Sequence, residues 1–110
     1  MRRNIRRIST DKLMITIPKA FAEHLNYTRG MPIYIYVKNN SMILSKKEKT
    51  NLNLKFDYFI KRKIIEMGNY GTLGITIPIK ITLLLEYYPD QEIDIALDKE
   101  DLSINKLYGA

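Results

Sequence analysis

"MITIP" at Met14–Pro18 returns as "GITIP" at Gly74–Pro78, sixty positions later. Each is a β-branched run stopped by proline, which cannot donate to a strand ladder but suits the first turn of a helix. At the same offset the correspondence continues without a gap, residues 13–46 lying on 73–106. Leu13/Leu73, Leu25/Leu85, Tyr27/Tyr87, Ile33/Ile93, Ile35/Ile95 and Lys46/Lys106 are identical pairs, while Phe21/Ile81, Val37/Leu97 and Met42/Leu102 keep apolar character. Chance supplies a shared tetrapeptide, but not the apolar register that follows it. The chain is an internal repeat. Upstream, a shift of one residue sets Ile5 and Ile8 opposite Ile64 and Met67, so the second copy is slightly longer before its "ITIP".

Both copies predict the same elements. After the proline, "PKAFAEHLNY" places Phe21 and Leu25 four apart, one apolar stripe on a helix of about two turns. "PIKITLLLEYY" is rich in Ile and Thr and has strand-like propensity, so its helix is expected from the repeat alone. Turns follow at Thr28–Gly30 and Tyr88–Asp90. Strict alternation then sets Ile33, Ile35 and Val37 on one face and Tyr34, Tyr36 and Lys38 on the other. Asn39–Asn40 mark a hairpin turn, and Met42 and Leu44 complete the returning strand. The second copy repeats this with Ile93, Ile95 and Leu97, a "DKED" turn, then Leu102 and Ile104. Three segments result: a first repeat over 1–46, a linker over 47–60 and a second repeat over 61–107. The linker opens charged and alternates from Leu52 through Leu54, Phe56, Tyr58 and Ile60, like a strand feeding the second copy.

A unit of about 45 residues buries too little surface to stand alone without disulfides or a metal. With no cysteine and one histidine among 110 residues, neither staple is at hand. The two units are therefore expected to share a core. Composition, 45% hydrophobic and 27% charged, is globular, and no run approaches a membrane span. "MRRNIRRIST" is basic but lacks the apolar stretch of a secretory signal, and the absence of cysteine fits a reducing compartment. A cytoplasmic, nucleoid-associated protein is the expectation. Net charge is +6 and uneven. Residues 1–46 hold nine Lys and Arg against two acids, whereas 64–110 hold three against eight. A basic front with an acidic back is the asymmetry expected where one surface meets a polyanion.

These residues carry a family resemblance. "RRISTDKLMITIPKAFAEHLNYTRGMPIYIYVKNNSMILSK" resembles the N-terminal domain of the AbrB/SpoVT transition-state regulators. "RKIIEMGNYGTLGITIPIKITLLLEYYPDQEIDIALDKEDLSI" resembles the same domain in the form shared with MazE-type antitoxins. The resemblance implies a mostly β fold of two swapped-hairpin β-barrel halves, each with one short helix, interleaved as an intrachain pseudo-dimer. It also implies binding of double-stranded DNA through the basic opening strand and loop. On that resemblance the opening basic pair falls on Arg6 and Arg7, with Arg62 and Lys63 opposite them after Lys61. Lys12 falls in the loop before "ITIP". Lys19 follows the proline, and the second copy has Ile79 there with Lys80 next. The arginine pair that AbrB-like members carry on the helix is here Ala22 and Glu23, which shifts the burden to the extra arginines Arg2 and Arg3.

Four arginines within residues 2–7 stand out in a chain whose commoner base elsewhere is lysine. The planar guanidinium suits phosphate and guanine edges. "GNYGTLG" at Gly68–Gly74 runs into a strand rather than a helix N-terminus, so it reads as a loop or wide hairpin turn, not a phosphate cradle. His24 has no partners of the metal-ligating kind and reads as a surface helix residue. Tyr34 and Tyr36 read as strand-edge packing. No catalytic set is legible, no cofactor is implied, and an enzyme is not expected. The leading expectation is a DNA-binding transcriptional regulator, with a homodimer or higher oligomer as the alternative to internal pairing. The second expectation is an antitoxin that binds a toxin partner, which would ordinarily use an extended C-terminal tail; the sequence runs only to Ala110.

Overall fold

The computed structural model describes residues 1–48, 58–68 and 71–107. The chain runs β1 (Arg2–Asn4), β2 (Arg6–Ser9), β3 (Lys12–Thr16), α1 (Lys19–His24), β4 (Pro32–Lys38) and β5 (Ser41–Ser45). It continues with β6 (Tyr58–Lys63), β7 (Ile65–Met67), β8 (Thr72–Ile77), α2 (Ile79–Leu85), β9 (Glu92–Asp98) and β10 (Asp101–Lys106). The fold is mostly β, with two short helices. Of the linker's expected alternation, Leu52, Leu54 and Phe56 lie outside the described residues, and Tyr58 opens β6.

Among the described residues ten strands form two antiparallel sheets, ordered β1-β9-β10-β5-β4-β6 and β2-β3-β8-β7. Neither closes on itself among the described residues, so the expected β-barrels are replaced by two open sheets. The reason lies in the opening segment of each half, which breaks at Ile5 or Ile64 and passes from one sheet to the other. Ile5 N–H donates to the Gln91 carbonyl at 2.8 Å, and Asp90 N–H donates to the Ile5 carbonyl at 2.7 Å. The second half repeats this: Ile64 N–H donates to the Met31 carbonyl at 2.9 Å, and Gly30 N–H donates to the Ile64 carbonyl at 2.8 Å. Both isoleucines are fully buried, each worth about 2 kcal/mol of burial.

Strands are exchanged between the halves. β1 of the first pairs with β9 of the second, and β6 of the second pairs with β4 of the first. The halves also meet directly, β3 on β8 and β5 on β10. Two partnered pairs, Ile15 with Ile75 and Ile43 with Ser103, sit at equivalent positions of the repeat. A pseudo-two-fold axis therefore passes through both. One core results, joining Ile5, Leu13, Ile15, Ile33, Ile35 and Leu44 to Ile64, Ile75, Ile93, Ile95 and Ile104.

The pairings also explain the offset between the copies. A bulge between Arg7 and Ser9 inserts Ile8 into the first half's ladder. The second half has no such bulge, but its turn from Met67 to Thr72 is longer than that from Ser9 to Lys12. The partner of Met67 in the repeat is thus Ser9 rather than Ile8.

Pro18 and Pro78 stand at the N-cap of each helix, one residue earlier than the sequence suggests, their carbonyls accepting from Ala22 and Thr82 N–H at 3.0 Å. Asn26 and Glu86 follow with left-handed φ of 57° and 55°. Tyr27 and Tyr87 N–H then reach back to the Ala22 and Thr82 carbonyls, a Schellman closure in each copy. The apolar stripe of α1 is Ala22 with Leu25, Phe21 being half-buried. In the hairpins every inward position is buried except Leu97, 36% exposed: its counterpart Val37 is covered by Tyr58, whereas β1 pairs with β9 only over 92–94. Asn39 and Asn40 have φ of 51° and 64°, the primed turn expected.

Beside the Ile15–Ile75 end of the axis the symmetry is broken at Met14 and Gly74. Met14 and its counterpart Gly74 lie on the face of their sheet opposite Leu13, Ile15 and Ile75. A Cβ added at Gly74 would stand 2.6 Å from Met14 Cε and 2.9 Å from the Ile15 carbonyl oxygen. Met14, fully buried, occupies the space that a second side chain would need. A flexible methionine can yield, but the Ile15 backbone cannot. Gly74→Ala is expected to lower stability by about 1–3 kcal/mol in denaturant unfolding, and in a double-mutant cycle Met14→Ala, costly on its own, is expected to make the loss at Gly74 smaller by its side-chain part only.

The Tyr27 and Tyr87 hydroxyls are buried without hydrogen-bond partners among the described residues. Burial pushes both phenols up, with Asp101 adding to the effect at Tyr27. The folded chain thus disfavours their ionisation, and stability present at neutral pH falls as pH rises past about 10, where unfolded tyrosine ionises. Tyr27→Phe/Tyr87→Phe is expected to unfold at higher pH than the wild type in an alkaline titration, with no loss of stability at neutral pH.

Candidate nucleic-acid interface

An edge strand begins the candidate surface. β2 pairs with β3 alone, Arg6 opposite Met14 and Arg7 opposite Leu13. Directly opposed residues share a face, so Arg6 projects from the outer face and Arg7 from the core-side face at the rim. Both are exposed, and neither makes an ion pair among the described residues. The bulge at Ile8 follows them and leads to Lys12, exposed at the start of β3.

Arg2 and Arg3 precede this strand across the Ile5 corner and have other engagements. Arg2 lies 3.5 Å from Glu92, an exposed pair of modest worth. Arg3 sits opposite Ile93, on the inner side, and its Nη1 donates to the Arg2 carbonyl at 2.8 Å. With Lys19 it lines a cavity of about 580 Å³, together with Thr16, Glu23, Asn26 and Thr72. The structure thus brings Arg3 and Lys19 to one groove and sets Arg6 and Arg7 along the neighbouring edge.

The second basic group lies elsewhere. Lys61, Arg62 and Lys63 belong to β6, at the opposite edge of the six-stranded sheet from β1. Five interstrand steps separate the edges, roughly 24 Å at about 4.8 Å each. Arg62 pairs with Ile33 as Arg3 pairs with Ile93, so Arg62 and Lys63 are the counterparts of Arg3 and Asn4. The counterparts of Arg6 and Arg7 are Ile65 and Glu66, opposite Gly74 and Leu73. This corrects the correspondence drawn from the sequence. Basic character at the second corner stops where the chain enters the four-stranded sheet.

Aromatic side chains hold part of that second corner. Phe59 stacks on Tyr34 at 5.9 Å and 9°, and tilts against Tyr36 at 5.1 Å. Lys61 Nζ lies 5.6 Å above the Tyr34 ring, and Lys80 Nζ lies 5.8 Å above that of Tyr58. The two tyrosines of β4 are thus covered from within. Sequence reasoning passed over Phe59 because its role depends on β6 docking beside β4, a pairing between distant segments.

Gly68 and Gly71, both of positive φ, flank the connection between the antiparallel strands β7 and β8; the rest of the "GNYGTLG" loop, residues 69 and 70, lies outside the described residues. His24 is the exposed last residue of α1. Among the described residues no three His, Cys, Asp or Glu side chains converge to hold a metal, and no helix is long and apolar enough to cross a membrane. Compared with known proteins, the chain matches no protein-family model, no curated protein and no solved structure.

Proposed function

We propose that this chain is a double-stranded DNA-binding regulator, built as two AbrB-like halves interleaved by swapped hairpins within one polypeptide. The observation that carries the reading is the edge strand β2, paired on one side only, with Arg6 and Arg7 exposed on its two faces and neither in an ion pair among the described residues. Arginines so placed reach phosphates on either side of a groove, and their planar forks donate two parallel hydrogen bonds to one partner. The exchange of β1 and β6 between halves supports the interleaved arrangement.

The pseudo-two-fold relates the two basic corners, and a two-fold preserves height along its axis. Both corners therefore look out at the same level, matching the dyad of a duplex. Their chemistry differs. Arg6, Arg7 and Lys19 in the first half become Ile65, Glu66 and Ile79 in the second. The first corner dominates the contact, and Lys61, Arg62, Lys63 and Lys80 assist at the second. Readout of DNA shape accompanies base contacts in such a mode.

With about four to eight phosphates neutralised, log K is expected to fall with log salt at a slope of roughly −4 to −7. Fluorescence anisotropy on AT-rich and mixed duplexes across a salt series measures it. Arg6→Ala/Arg7→Ala is expected to flatten the slope by about two. A Lys61→Ala/Lys63→Ala variant is expected to change it less. No binding at low salt would sink the regulator and leave a protein partner as the role of the basic corner.

A further inference from the structure

The helix of the second half carries an apolar ridge that its counterpart lacks. Ile79, Leu83 and Leu84 on α2, and Tyr88 just beyond it, are 57%, 72%, 52% and 58% exposed. The equivalent positions of the first half hold Lys19, Glu23, His24 and Thr28. Both helices start at a proline N-cap and end on a left-handed residue with the same closing bond. The element therefore folds with polar groups at all four positions, and the apolar ones answer no need of the core, which Ile81 and Leu85 already fill.

We propose that this ridge is the face on which two copies of the chain join as a two-fold dimer. The four side chains leave on the order of 500 Å² open, a patch of the size that marks interaction surfaces. Two such patches face to face remove on the order of 1,000 Å² from water, where specific interfaces begin. An isologous contact sets apolar against apolar by symmetry. A concave surface that a second copy offers among the described residues, the groove beside α1, is lined by Arg3, Lys19 and Glu23. Inserting Leu83 there would strip water from those charges without pairing them. Nor does the ridge suit a duplex, since Glu86 and Asp90, both exposed, flank Tyr88 and repel phosphate, outweighing Lys80 at the other end of the helix. The inference stands apart from DNA binding and is tested without DNA.

Light scattering and sedimentation of the full chain over a concentration series provide the test. The expected wild-type mass tends to twice 12.9 kDa and stays there. Ile79→Lys/Leu83→Glu, which installs the first half's own residues, is expected to remain at the single-chain mass with an unchanged far-ultraviolet spectrum. Leu84→His is expected to weaken the dimer at least tenfold. A wild type that stays at the single-chain mass at the highest concentration overturns the proposal, as does a folded double variant that still dimerises. A mass that climbs without a plateau also overturns it, because that reports an open head-to-tail contact.

Discussion

Everything in this fold hangs on the meeting of β3 with β8 at Ile15 and Ile75. Both residues are fully buried, and each is the other's counterpart in the repeat. That pairing brings the two halves onto one axis, and once there each half supplies what the other lacks. The hairpin β4–β5 leaves one edge open for β6, and β9–β10 leaves one open for β1. In each case the strand that fills the edge comes from the other half. Duplication inside one chain makes the association independent of concentration, which suits units too small to hold a core alone.

The same pairing organises the charges. The two corners at which the chain crosses between sheets are formed by the segments richest in arginine and lysine, because crossing leaves short edge strands in solvent. Charged residues on such edges also discourage strand addition by other chains. Solubility and the proposed polyanion binding thus draw on the same residues at β1, β2 and β6. They separate only where an arginine is tied up, as Arg2 is by Glu92.

Much of the fold was legible because local pattern and final structure agree. The two "ITIP" strands, the prolines ending them, the Asn39–Asn40 turn and the inward isoleucines follow from side-chain period and backbone preference. The second helix was legible only through the repeat, its Ile and Thr content pointing the other way. Strand exchange was not derivable from pattern, since which distant edge receives β1 is decided by shared burial. The bulge at Ile8 and the longer second turn hid each other inside a one-residue offset, while the matching of Arg62 and Lys63 to Arg6 and Arg7 followed basic character and not that offset, in which Ile5 on Ile64 already sets Arg6 on Ile65. For the candidate surface, sequence located the arginines but not their company. Glu92 beside Arg2 and Phe59 over Tyr34 both arrive from the other half.

The Met14–Gly74 mismatch has a consequence for pedigree. In a pair of identical halves both positions would carry the same residue: two methionines would compete for one space, and two glycines would leave it empty. The present halves have become complementary, as lock and key parts rather than interchangeable copies. A chain cleaved between them would sort on reassociation, first half seeking second half and rejecting its own kind. A homodimer of either half alone would carry that clash or that void beside its axis, a cost the joined halves avoid.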